Sequence, residues 1–182
     1  MKGSLWHKTI HDFYTIEGAT NLAKFFKTWQ GGHLVINIAE LPYKCPVAPL
    51  EFAFFSDAFF SERGMRDKVK ITYTTPLSGA FTKPRASQML GGLMDEKNIE
   101  VIPEFYVEHI DNEKKEIVSY AEDRIPFDCL ISVPTNMGDP MIERSGIAED
   151  LNFVATDKHT LQSKAFDNIF VIGDATNLPT SK

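Results

Sequence analysis

The sequence predicts an α/β protein: a three-layer, Rossmann-like nucleotide-binding domain with a parallel sheet and a small antiparallel β-meander. Three observations carry this. Apolar, strand-like runs alternate with helix-like segments from His33 to Ile102, the pattern of right-handed βαβ crossovers. From Phe105 the pattern changes to short strands split by charged turns, which reads as a meander. Asp128 to Val133 then returns to a continuous apolar run, as a central parallel strand would.

The elements follow in order. Trp6 to Tyr14 is aromatic and histidine-rich; His7 and His11 stand four apart, so they could share a helix face and bind a metal, although no third ligand is in view. Thr20 to Trp29 has helical periodicity, with Thr20 or Asn21 able to cap it and Gly31-Gly32 ending it. His33 to Ala39 reads as a buried strand. Pro49 to Phe60 reads as an apolar helix opened by proline. Its Phe52, Phe54, Phe55, Phe59 and Phe60 are too dense for one face; most are assigned to the core, with some covered by a domain missing from this chain. Gly64 marks a turn, and Val69 to Thr74 is a second strand. Lys83 to Lys97 is a second helix, in which Gly91-Gly92 costs about 1 kcal/mol per glycine unless close packing needs them. Ile99 to Ile102 is a third strand, and Phe105–Ile110, Glu116–Tyr120 and Arg124–Phe127 form the meander. Ile142 to Leu151 contains a helical turn; Phe153 to Thr156 and Asn168 to Ile172 are the last strands. With 182 residues and no flexible linker, residues 1–182 read as one domain.

Composition narrows the function classes. The net charge of -6 argues against non-specific nucleic-acid binding. No apolar run approaches the roughly 20 residues that cross a bilayer, so the chain reads as soluble. The N-terminal residues show no secretory signal. Two cysteines, Cys45 and Cys129, are too few for a disulfide framework, and nothing has zinc spacing, so no metal is expected.

The chemistry concentrates at two places. Between strand and helix, a nucleotide-binding unit should carry G-x-G-x-x-G, because only glycine lets the backbone close on a pyrophosphate. Here the loop is Glu40 to Ala48, without a glycine, and Cys45 stands just ahead of the helix. A helix N-terminus favours an anion, Lys44 adds a positive neighbour and the flanking prolines stiffen the loop, so Cys45 reads as a thiolate nucleophile. Cys129, inside an apolar strand, reads as structural. Glu40 could touch a ribose, though no glycine stands near it. At the other end, Ile169 to Asp174 is an apolar strand closing on Gly-Asp. Asp174 could accept hydrogen bonds from sugar or ribityl hydroxyls, and Gly173 would let the ligand approach the backbone.

Three stretches, Pro42 to Glu51 (PYKCPVAPLE), Val133 to Asp139 (VPTNMGD) and Val171 to Lys182 (VIGDATNLPTSK), together resemble the sulfide:quinone oxidoreductases, a family of FAD-dependent pyridine nucleotide-disulfide oxidoreductases. The resemblance covers nearly all of Ile16 to Lys182. It implies an enzyme that oxidises sulfide through a redox cysteine and FAD and passes electrons to quinone. By position, Cys45 matches the redox cysteine, Gly173 and Asp174 match the flavin fingerprint, and Thr180 and Lys182 would approach the flavin. In that family sulfide attacks a bridge between two cysteines, leaving a persulfide on one sulfur while the other attacks the flavin. The family's second sulfur-carrying cysteine, its N-terminal glycine fingerprint and its quinone- and membrane-contacting region have no counterpart here. The chain is therefore expected to be the second, NAD-like domain of a two-domain flavoprotein, inactive alone, from a peripheral membrane parent, with no NAD and with homo-oligomerisation left open. Rival readings are the flavoprotein subunit of a cytochrome-linked sulfide dehydrogenase, a type II NADH dehydrogenase domain, and a non-catalytic Rossmann-like binding module.

Overall fold

The computed structural model describes residues 3–43 and 45–178. The sequence reads as one domain; contacts divide the chain into two compact units. The first takes the chain as far as Leu41 and from Pro46 to Pro134, and the second takes Pro42–Cys45 and the chain from Thr135.

In the first unit, β1 (Ile10–His11), β2 (Gly32–Ile38), β3 (Val69–Thr74), β4 (Ile99–Ile102) and β8 (Cys129–Val133) form a parallel sheet in the order β1-β8-β2-β3-β4. Helices α1 (Ile16–Thr28), α2 (Ala48–Glu62) and α3 (Pro84–Glu96) make the crossovers. Strands β5 (Val107–Asp111), β6 (Glu116–Ser119) and β7 (Arg124–Pro126) are the antiparallel meander, in the order β5-β6-β7. The fold class is the expected one.

The central strands β2 and β8 form where apolar, β-branched residues meet cover on both faces. From Leu34 to Ile38 every residue of β2 is buried. One face packs Val35, Ile10 and Leu130 against Phe105, Ile117, Ile125 and Phe127 of the meander side. Between α1 and α2 lies an aromatic cluster. Phe26 meets Phe52, Phe59 and Phe60 at 6.4, 5.8 and 5.2 Å between ring centres, and Trp29 meets Phe60 at 5.5 Å.

Of the phenylalanines of α2, Phe60 is fully buried, Phe52, Phe54 and Phe59 are half-buried, and Phe55 is 71% exposed, so fewer than expected lie wholly in the core. A helix turning 100° per residue cannot aim five rings at one neighbour: α2 packs on β2 and β3, and Phe26 of α1 meets its Phe52, Phe59 and Phe60 rings. Helix α1 also starts earlier than its apolar periodicity suggests. Thr15 caps it, its hydroxyl accepting from the Gly18 N–H at 2.9 Å. Asp12 accepts from the Tyr14 and Thr15 N–H groups at 2.9 Å, and a Cβ on Gly18 would collide with that carboxylate. The first turn escapes periodicity because its exposed side carries Ile16. Gly91 and Gly92 lie inside α3 with open space where a Cβ would stand, so packing does not require them. His7 and His11 are not on a helix: His11 ends β1, and His7 precedes it with φ +59°.

The second unit is sparser. Its helix, α4 (Pro140–Arg144), is capped by Asp139, whose carboxylate accepts from the Met141 N–H at 2.7 Å. A 3₁₀ turn spans Asp150–Asn152. The core is Ile142, Val154 and Val171, flanked by Ile147, Ala148, Ile169 and Ala175. The two last strands expected from sequence are not strands. They survive as isolated bridges, Val154 with Thr176, Thr156 with Ser163 and Gln162 with Phe170. Phe170 and Ile172 are 66% and 73% exposed, so the apolar run there is not core-facing sheet.

Candidate functional site

The second unit brings the cysteine loop and the Gly-Asp turn into one compact body. Cys45 is exposed and adopts φ +51°, a left-handed backbone that is uncommon for a residue with a Cβ. It lies in sequence between Tyr43, which is buried, and Pro46. The Asn136 side-chain amide donates to the Pro42 carbonyl at 3.3 Å, tying this loop to the stretch after β8. Cys129 is the opposite case: it is fully buried in β8, and burial together with the nearby Asp128 charge pushes its thiol far up from the ordinary value. At neutral pH it stays a neutral thiol.

At the far end, Gly173–Ala175 forms a 3₁₀ turn. Gly173 has φ +62°, and no atom lies within 4 Å of where its Cβ would be. The Thr176 N–H and hydroxyl both close on the Gly173 carbonyl, at 3.1 and 2.9 Å. Asp174 is exposed, and its carboxylate has no hydrogen-bond partner among the described residues. Bare glycine backbone beside an unpartnered carboxylate suits a hydroxyl-bearing ligand that comes close to the main chain. The residues present therefore fit a flavin's ribityl chain. Lys44, Thr180 and Lys182 lie outside the described residues. Glu40, at the end of β2, is exposed.

Sequence reasoning missed the residues that hold this turn. The Asn177 side-chain oxygen accepts from the Thr156 N–H at 3.1 Å, and its amide donates to the Glu149 carboxylate at 3.1 Å. The Asn177 N–H reaches the Val154 carbonyl at 3.1 Å, and the Val154 N–H reaches Ala175 at 2.8 Å. The usable signal was the Asn immediately after the Gly-Asp-Ala-Thr run, but its partners are 21 and 28 residues away. Also missed was a polar row in the first unit. Asn37, Thr74 and Ser132 are register neighbours near the carboxyl edge of the sheet, and the Thr74 hydroxyl donates to Asn37 at 2.8 Å. The direction of strand order changes between β2 and β8, where open α/β sheets take ligands. Among the described residues no group of three or more His, Cys, Asp or Glu is arranged to hold a metal ion, and no helix is long and apolar enough to cross a membrane.

No protein-family model matches the chain. The chain is similar along nearly its whole length to sulfide:quinone oxidoreductases. It is 29% identical to the mitochondrial enzyme of Mus musculus over 175 residues, covering 93% of this chain and 39% of the relative. It is 30% identical to that of Schizosaccharomyces pombe over 176 residues, covering 93% and 38%. The chain thus spans about two-fifths of the length of the curated relatives it matches. Among solved structures, the sulfide:quinone oxidoreductase of Aquifex aeolicus superposes with a TM-score of 0.74 at 22% identity, covering 93% of this chain and 42% of that one. The flavoprotein disulfide reductase RclA of Escherichia coli shares the fold with a TM-score of 0.58 at 18% identity, covering 93% and 35%.

Proposed function

We propose, on its similarity to sulfide:quinone oxidoreductases, that this chain is the central portion of a flavoprotein that oxidises sulfide through Cys45 and delivers the electrons to a quinone. The observation that carries the reading is the exposed Cys45 in a glycine-free crossover loop, within one compact unit with the Gly173–Asp174 turn. A dinucleotide would need bare backbone at that loop. A proline-flanked cysteine supplies instead a sulfur held in one direction.

Three of the chain's groups would act directly. Asp174 would accept hydrogen bonds from ligand hydroxyls, and Gly173 would let the ligand lie against the main chain. In the full-length protein Cys45 would exchange sulfur as one half of a disulfide with a second cysteine outside this segment: hydrosulfide adds to one sulfur, the S–S bond breaks, and a persulfide and a thiolate result. Taking sulfide to the persulfide level removes two electrons, and flavin, when bound, supplies a two-electron acceptor. By resemblance to the family's sequence, Thr180 and Lys182 are further candidates for contact with it. Quinone exchange and membrane contact would fall to parts of the protein that the relatives carry outside the matched segment.

The test is sulfide-driven bleaching of the flavin band in the full-length, flavin-loaded protein. Cys45→Ser is expected to slow bleaching at least a hundredfold while leaving flavin content unchanged. Unchanged bleaching in that variant would remove Cys45 from the reaction. Saturable micromolar binding of NADH would instead favour a pyridine-nucleotide dehydrogenase.

A further inference from the structure

We propose that Asn177 is a positioning residue for the flavin, clamping the Gly173–Asp174 turn to the segment that also secures the cysteine loop. The inference rests on the flavoprotein reading above and adds to it a residue and a contact path.

The clamp is polar and one-directional. The Thr156 N–H can only donate, and the Glu149 carboxylate can only accept. Asn177 meets them with its oxygen toward Thr156 and its nitrogen toward Glu149, both at 3.1 Å. A side-chain amide offers one acceptor and one donor on the same planar group. Aspartate keeps the first bond but sets a second carboxylate against Glu149. Alanine loses both. Main-chain bonds alone leave the turn attached at Val154, through Ala175 and the Asn177 N–H.

Glu149 is itself held. Its N–H bonds to the Phe153 carbonyl at 2.7 Å, and its carbonyl accepts from the Asn152 N–H at 3.1 Å. Leu151 and Asn152 both have positive φ there, so this is a tight and locally strained turn. The Leu151 carbonyl accepts from the Gly138 N–H at 2.8 Å, and a Cβ on Gly138 would collide with the Asn152 carbonyl. Two residues before Gly138, Asn136 holds the Pro42 carbonyl. A contiguous path therefore runs from the cysteine loop through Asn136, Gly138, the 149–152 turn and Asn177 to Gly173–Asp174. Its links join the three stretches that resemble the oxidoreductase family, so the turn that would hold flavin and the loop that carries the thiol are set by one chain of bonds.

The experiment uses the full-length, flavin-loaded protein and four variants: Asn177→Ala, Asn177→Asp, Glu149→Gln and Asn177→Asp combined with Glu149→Gln. Flavin dissociation is followed by fluorescence of the released flavin, and the flavin reduction potential is read alongside. Thermal melts check that each variant folds. Losing or reversing the clamp removes one or two hydrogen bonds, so N177A and N177D are expected to bind flavin about tenfold more weakly. N177A controls for charge, since it adds none. E149Q keeps an acceptor and is expected to stay within twofold of wild type. The combined variant restores a donor opposite the new carboxylate and is expected to return to within twofold. Wild-type-like affinity and potential in N177A and N177D overturn the inference while the flavoprotein reading stands. A combined variant as weak as N177D also overturns it. A wild-type protein that takes up no flavin removes the flavoprotein reading and the inference together.

Discussion

Two residues of one type, Cys45 and Cys129, show how far surroundings decide chemistry. Cys129 is fully buried in the middle of a sheet, and burial with the Asp128 charge raises its thiol pKa well beyond the ordinary range. Cys45 is exposed on a left-handed backbone. Thiolate, not thiol, is alkylated, and it must be reachable. Iodoacetamide at pH 8 is therefore expected to modify one cysteine of the folded chain, identified as Cys45 by peptide mass, with Cys129 reacting only after denaturation. Native labelling of Cys129 at a comparable rate would contradict the burial. Gly138 is the second residue whose role is steric. Its N–H bonds to Leu151 at 2.8 Å, and any Cβ there collides with the Asn152 main chain. Gly138→Ala is expected to destabilise the protein by about 1–3 kcal/mol, measured by urea unfolding, because the 149–152 turn must shift to admit a methyl group.

Between elements, the connection with most at stake is Asp57 on α2. Its side chain is 10% exposed and takes Arg66 at 2.7 Å and Lys97 at 2.7 Å. Arg66 also donates to the carbonyls of Val69, Lys97 and Asn98, at 2.6, 2.7 and 3.1 Å. One carboxylate thus joins α2, the entry to β3 and the turn between α3 and β4. Burial pushes the Asp57 carboxyl up, but the bonds from Lys97 and Arg66 outweigh it and leave the pKa below the ordinary value. A depressed carboxyl pKa adds stability that is present above the unfolded-state value, about 3.9, and is lost as pH falls through the folded one. Asp57→Asn is expected to cost about 3 kcal/mol at pH 7, because it leaves two cations facing a neutral amide. The cost should shrink as pH falls below the unfolded-state value toward pH 3, because the unfolded wild-type carboxyl there takes up a proton that the folded one resists. Urea unfolding of both proteins at the two pH values measures this, and an equal cost at both would remove the ionic account. No sequence pattern marks Asp57, since its partners lie 9 and 40 residues away. The strands, by contrast, were legible from their β-branched and apolar residues, β8 as a run buried on both faces and β3 and β4 with Lys70 and Glu100 at exposed positions. Val69–Thr74 and Ile99–Ile102 are found where the sequence sets them. The Gly-Asp and Cys-Pro stretches were legible as motifs, yet their supports, Asn177, Glu149 and Asn136, were not. A side-chain amide that closes a hydrogen bond across 20 or more residues leaves no local period.

At the scale of the whole molecule, the two units are built on different physics. The first has a five-stranded parallel sheet whose central strand β2 is sealed from Leu34 onward, with the meander's apolar side chains over one face. The second has, among the described residues, isolated bridges, the short helix α4, a small cluster built on Ile142, Val154 and Val171, and non-glycine residues in left-handed conformation at Leu151 and Asn152. Sequence misread this second part as sheet because Phe153–Thr156 and Asn168–Ile172 carry β-type residues. What makes a strand is a paired neighbour and a covered face, and the exposed Phe170 and Ile172 lack the cover. Local opening costs least where few apolar contacts and few ladder bonds must break. Amide hydrogen exchange is therefore expected to divide near Pro134. Val35, Ile36, Ile71 and Ile131 should exchange most slowly, and Val154, Thr156 and Asn177 about a hundredfold faster. A ligand that binds the closed form of a segment slows its opening in proportion to occupancy. Flavin added to the full-length protein should slow Val154 and Asn177, and should slow by the same factor an amide such as Val35 that exchanges through global unfolding, because both openings release the ligand. Unchanged exchange at Val154 and Asn177 under saturating flavin, with Val35 slowed, would mean that this segment opens without releasing the ligand, and that the Asn177 clamp does not set the turn that holds flavin.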